Sequence, residues 1–73
     1  KEGGIRFLPA GNDVICLERF GEGALLCAVN RSEEERRIPL PTAWRGRTVN
    51  LGGGTVEDAR LRLPPVDCAI LLA

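Results

Sequence analysis

Histidine and tyrosine are both missing from this 73-residue chain, and serine occurs once, at Ser32. These absences close off most chemistry at neutral pH. General acid–base work would fall to carboxylates or to the single lysine, Lys1. A hydroxyl nucleophile at Ser32 has no imidazole to take its proton. Paired-carboxylate hydrolysis needs two acids aimed into one cleft. The acids here are expected in turns and at strand ends, in a chain too small to form a deep cleft. Gly52-Gly53-Gly54 is not followed by the Lys-Ser/Thr of a phosphate loop and reads as a hairpin turn. No catalytic residue, cofactor or metal site is therefore expected.

The chain also lacks an excess of charge of either sign. Ten basic and ten acidic residues cancel. Glu33-Glu34-Glu35 stands beside Arg36-Arg37, and Glu57-Asp58 near Arg60 and Arg62, a mixture of signs typical of a solvated strand surface. Nucleic-acid binding draws on a net basic face that releases counterions, so no nucleic-acid partner is expected. Long hydrophobic runs are missing too. The longest, 24–29 and 68–73, fall far short of the ~20 residues of a membrane-spanning helix, and no membrane partner is expected. The opening Lys1-Glu2-Gly3-Gly4 does not begin a signal peptide. The chain reads as a domain excised from a longer polypeptide.

Cysteine is scarce and odd in number: Cys16, Cys27 and Cys68. Three cannot all pair within the chain. Each lies in an apolar run, as a small buried hydrophobe would in a reducing compartment. With no signal peptide, this gives a cytoplasmic expectation. A zinc site would call for closer spacing such as Cys-x-x-Cys, usually with histidine.

What is present is a succession of short apolar or alternating runs separated by glycine, proline and asparagine. No helical spacing persists over ten residues. This is the pattern of an all-β antiparallel domain. Seven short strands are expected over 5–8, 14–20, 24–31, 35–40, 47–51, 59–63 and 67–72. Their spacing suggests a sandwich or a Greek-key barrel, and residues 1–73 form one domain. A chain this short buries only ~60% of its unfolded surface, so its core is thin.

The clearest unit is the hairpin 14–31. A two-residue turn at Gly21-Glu22 would pair Phe20 with Gly23 and set Cys16 opposite Cys27. At ~5.5 Å between Cα atoms, that pair lies within disulfide range, although free thiols are preferred because Cys68 would remain odd. In this register one face carries Val14, Cys16, Leu25, Cys27 and Val29, and the other Ile15, Leu17, Leu26 and Ala28. Both are apolar, whereas a free-standing antiparallel sheet normally has one polar face. Residues 68–72 show the same two-sided character. Either loops of the domain or a surface outside these residues must cover one side.

The aromatic residues are Phe7, Phe20 and Trp44. Both phenylalanines lie in strand runs and are expected in the core. Trp44, flanked by Arg45 in a loop, is read either as a sugar platform or partner contact, or as a ring capping the core.

The order of these features resembles the C-terminal β domain of α-amylase superfamily glycosidases, nearest the neopullulanase, cyclomaltodextrinase and maltogenic amylase group. Residues Asn12-Asp13-Val14-Ile15-Cys16-Leu17-Glu18-Arg19, the turn Gly21-Glu22-Gly23, and Ala24-Leu25-Leu26-Cys27-Ala28-Val29-Asn30-Arg31-Ser32 carry the likeness. So do Gly4-Ile5-Arg6-Phe7-Leu8, Ile38-Pro39-Leu40-Pro41 and the closing strand 67–72. The resemblance covers nearly the whole chain. It implies an antiparallel β-sandwich with Greek-key connections, packed on a catalytic (β/α)8 barrel of the same parent polypeptide that acts on α-glucans. The barrel would hold the catalytic acids, so none is carried over. Arg19, Asn30 and Ser32 match the pattern and imply structural roles, Asn30 and Ser32 in turns and Arg19 at a strand end or interface. The alternative is an independent carbohydrate-binding module, with α-glucan as ligand and Trp44 and Arg45 as its contacts. A small nucleic-acid- or protein-binding barrel stands third.

Overall fold

A computed structural model describes residues 4–21 and 23–72. Eight strands form two antiparallel sheets, with no α-helix among the described residues. They are β1 (Gly4–Phe7), β2 (Val14–Phe20), β3 (Leu25–Asn30), β4 (Arg36–Pro39), β5 (Leu51–Gly52), β6 (Thr55–Glu57), β7 (Arg60–Leu63) and β8 (Asp67–Leu72). A single 3₁₀ turn covers Thr42–Trp44. The larger sheet has the order β1-β2-β3-β8-β5 and the smaller β4-β7-β6.

Alternation decides which side chains go inward. In β2, Val14, Cys16 and Glu18 are buried, and in β3, Leu26, Ala28 and Asn30. Ala69 and Leu71 of β8 continue that inner face. The smaller sheet answers with Ile38, Leu61 and Leu63, and Leu40 and Trp44 complete the core. The two sheets thus make a small sandwich around eleven buried apolar residues, each of the larger ones contributing ~1.5–3 kcal/mol by leaving water.

Several sequence expectations are corrected. The β2–β3 register is one residue away from the expected one: Cys16 faces Ala28, and Leu17 faces Cys27. The connection therefore holds an odd number of residues, with Gly21 and Gly23 both at positive φ, 98° and 76°. The two-residue turn required Glu22, which lies outside the described residues, as do Lys1, Glu2, Gly3 and Ala73. Because side chains alternate, the slip reassigns faces. Leu26 and Ala28 join Val14 and Cys16 inside, while Leu25, Cys27 and Val29 join Ile15 and Leu17 outside. The Cys16–Cys27 pairing is gone, and all three cysteines are free: Cys16 buried, Cys27 half-buried, Cys68 exposed.

The strand expected over 47–51 shrinks to Leu51–Gly52. Beside it, Asn50 takes over part of the ladder with its side chain, its Oδ1 accepting from the Leu72 N–H at 2.9 Å. The short β6 was hidden behind the glycine run. Gly52-Gly53-Gly54 is not a hairpin turn, for β5 pairs with β8 and β6 with β7, so this run carries the chain from one sheet to the other. Gly52 sits at φ 100°, and a Cβ there would run into the Cys68 carbonyl. Phe7 is 71% exposed and Phe20 41%, not core residues. Phe7 lies on the outer side of an edge strand, and Phe20 is the last residue of β2.

Candidate functional site

The outer side of the large sheet is the feature that asks for a function. Following the registers across β1, β2, β3, β8 and β5, this side carries Ile5 and Phe7, then Ile15 and Leu17, then Leu25, Cys27 and Val29, then Cys68, Ile70 and Leu72, and last Leu51. Ile5 is 65% exposed and Leu51 62%, and the rest are exposed or half-buried. Six of the eleven are exposed and five half-buried. A lone antiparallel sheet keeps one polar, wet face, and this one does not. Single exposed apolar residues are ordinary, whereas contiguous apolar patches are often interaction sites.

One charged side chain shares this face among the described residues. Arg19 stands opposite Ile5 on one side and Leu25 on the other. At the other end, Val29, Asn30, Arg31, Val66, Asp67 and Cys68 surround an open, mostly apolar depression of about 330 Å3. Val66 is 71% exposed and has φ 49°. That is the left-handed region, costly for a β-branched residue.

Behind the face lie two polar clamps. Glu18, buried on the inner side, takes the Trp44 indole Nε1–H at 2.7 Å and the Arg6 Nε–H at 2.8 Å. The indole hydrogen bond holds its carboxyl below the ordinary range against the upward push of burial, and Arg6 adds to the lowering. Trp44 itself is 3% exposed, with the Arg47 guanidinium 5.5 Å from its ring centroid. Its ring offers no open face on which a sugar would stack. Arg45 is exposed and donates from Nε to the Leu40 carbonyl at 3.0 Å.

Asn30 is the second clamp. Its Nδ2 lies 2.9, 3.3 and 3.0 Å from the carbonyls of Glu34, Leu63 and Pro64. Its Oδ1 accepts from the Ser32 N–H, and the Ser32 hydroxyl accepts from the Glu34 N–H. One amide thereby shapes the turn after β3 and ties the large sheet to the end of β7. The resemblance implies turn roles for Asn30 and Ser32, and in the structure both make side-chain hydrogen bonds to the backbone of the turn after β3. Sequence reading missed Glu18, whose only signal is its period-2 spacing from Val14 and Cys16. It also missed Ile5, Phe7 and Leu51 as members of the outer face, because strand order alone brings them there.

The thiols divide in the same way. Burial, then Cys27 and Glu18, pushes the Cys16 thiol up to about 11. Burial, then Cys68, raises that of Cys27 as well. Neither is an activated nucleophile. No group of three or more His, Cys, Asp or Glu side chains among the described residues is placed to hold a metal ion. No helix among them is long and apolar enough to cross a membrane. No protein-family model and no curated protein sequence matches the chain.

Proposed function

We propose that this chain is a non-catalytic accessory domain of an α-glucan-acting glycosidase. It lays the outer face of its large sheet on a catalytic (β/α)8 barrel of the same polypeptide and stabilises it. The apolar outer face of that sheet carries the reading. The order of sequence features that resembles the C-terminal domain of the neopullulanase and cyclomaltodextrinase group names the neighbour, and Greek-key connectivity belongs to the same expectation.

A tethered neighbour needs a smaller interface than a separate partner, because domains of one chain share about 600–1,500 Å2 against about 1,600 Å2 for stable complexes between separate proteins. Tethering supplies the effective concentration that a small interface lacks.

The three cysteines make a built-in test. In the free 73-residue chain, a small maleimide labels Cys68 fast, Cys27 slowly and Cys16 only on unfolding. In the full-length polypeptide, Cys68 and Cys27 become protected, and maltodextrin hydrolysis is found there and not in the free chain. Equal labelling of Cys68 in the two would sink the docking. A full-length protein inert towards α-glucans would sink the parent assignment.

A further inference from the structure

We infer that the surface covering the large sheet presents a carboxylate to Arg19. The inference rests on the docking reading above and deepens it.

Arg19 is paired on both sides, by Ile5 of β1 and Leu25 of β3, so its strand is not an edge strand. Its neighbour two positions back on the same face is Leu17. The acids that form ion pairs among the described residues lie elsewhere. Glu18 faces inward and holds Arg6. Asp13 and Glu34 hold Arg36, and Glu35 and Glu57 hold Arg37 and Arg62. Covering Arg19 with a purely apolar surface would strip water from a permanent charge and return nothing. A guanidinium offers a planar fork of donors that a carboxylate accepts in two parallel hydrogen bonds. One such pair also fixes orientation, because Arg19 lies at the end of β2 diagonally across β3 from Cys68. An apolar patch alone slides, and a charge at one corner pins it.

The competing arrangement has the arginine stem lying on the apolar face with its head reaching water at the rim. The two differ in the effect of removing the charge. The experiment is Cys68 labelling in the full-length polypeptide, read by peptide mass, for the parent, Arg19→Leu and Arg19→Glu. If a carboxylate faces Arg19, Arg19→Leu leaves it buried and unpaired and raises the Cys68 rate about tenfold or more, and Arg19→Glu raises it further. The same substitutions in the free chain leave the rate and the thermal midpoint unchanged, which separates lost docking from lost folding. Cys68 protection that survives Arg19→Leu undiminished overturns the inference while leaving the docking intact. Cys68 unprotected in the parent polypeptide removes the docking reading and this inference with it.

Discussion

The smaller sheet turns Thr55, Glu57, Arg60, Arg62, Arg37 and Pro39 outward, whereas the larger turns out Ile5, Phe7, Ile15, Leu51 and their neighbours. On the small sheet, Arg37 stands directly opposite Arg62, an arrangement that is repulsive by itself. Glu35 and Glu57 each reach both arginines, closing a ring of four alternating charges with N–O distances of 2.9 to 3.9 Å. That face is finished as a solvated surface. Among the described residues the large sheet has no such ring, and its outer face stays apolar and at least partly exposed. The two inner faces, by contrast, are alike and share one core. The difference teaches that strand alternation guarantees a core but leaves the far side of each sheet free to meet water or another surface.

The largest effect separates inner from outer positions. Leu61, fully buried on the small sheet, should lose about 2–5 kcal/mol on Leu61→Ala. Phe7→Thr, on the exposed face, should change the stability of the free chain by no more than ~0.5 kcal/mol. Urea unfolding of both variants checks this. A large loss at Phe7 would mean that the outer face is already covered in the free chain, breaking the comparison.

Next comes the clamp between the faces. Glu18→Ala leaves the buried Trp44 N–H without its acceptor and should cost about 1–3 kcal/mol. The folded carboxyl titrates below its unfolded value of about 4.3. Its stabilisation is therefore present above that pH and lost as pH falls through the lower, folded value. In acid titrations followed by near-ultraviolet dichroism, Glu18→Gln should flatten the fall in stability below pH ~4.3. An unaltered acid limb would show that the clamp adds nothing.

A smaller gain is expected at the end of the apolar face. Val66→Gly removes a β-branched side chain from the left-handed region and should stabilise the free chain by up to about 1 kcal/mol. A fall in thermal midpoint would show that the Val66 side chain contributes more by packing than its backbone costs. The smallest effect belongs to the charged face. Arg62→Ala should lower the midpoint slightly at low ionic strength and not at all in 1 M salt, where the screening length is about 3 Å. A loss that persists in salt would mean that Arg62 packs as well as pairs.

Much of this contrast is legible in the sequence, but unevenly. β2 and β8 have the expected limits because apolar alternation and flanking turn residues agree there. The two-sided apolar character of 14–31 and 68–72 also follows from composition. The division of the hairpin between faces does not. It hangs on one residue of loop length, because any odd slip exchanges every side chain. Neither β6, three residues long, nor the crossing at Gly52-Gly53-Gly54 has a local signal, since a glycine run serves a turn and a sheet-to-sheet passage equally well. Phe7 and Leu51 gain their setting from strands distant in sequence.

Composition and alternation thus determined an all-β antiparallel domain without histidine or tyrosine for chemistry, and with too many apolar strand positions for one core. Only the tertiary structure decided which of those positions are enclosed. Register and strand order, fixed by turn length and by hydrogen bonds across the chain, gather Ile5, Phe7, Cys27, Cys68 and Leu51 on one apolar outer face, while on the other Glu35 and Glu57 neutralise Arg37 and Arg62. Local residues specify that a strand has two sides, and nonlocal pairing specifies what each side meets.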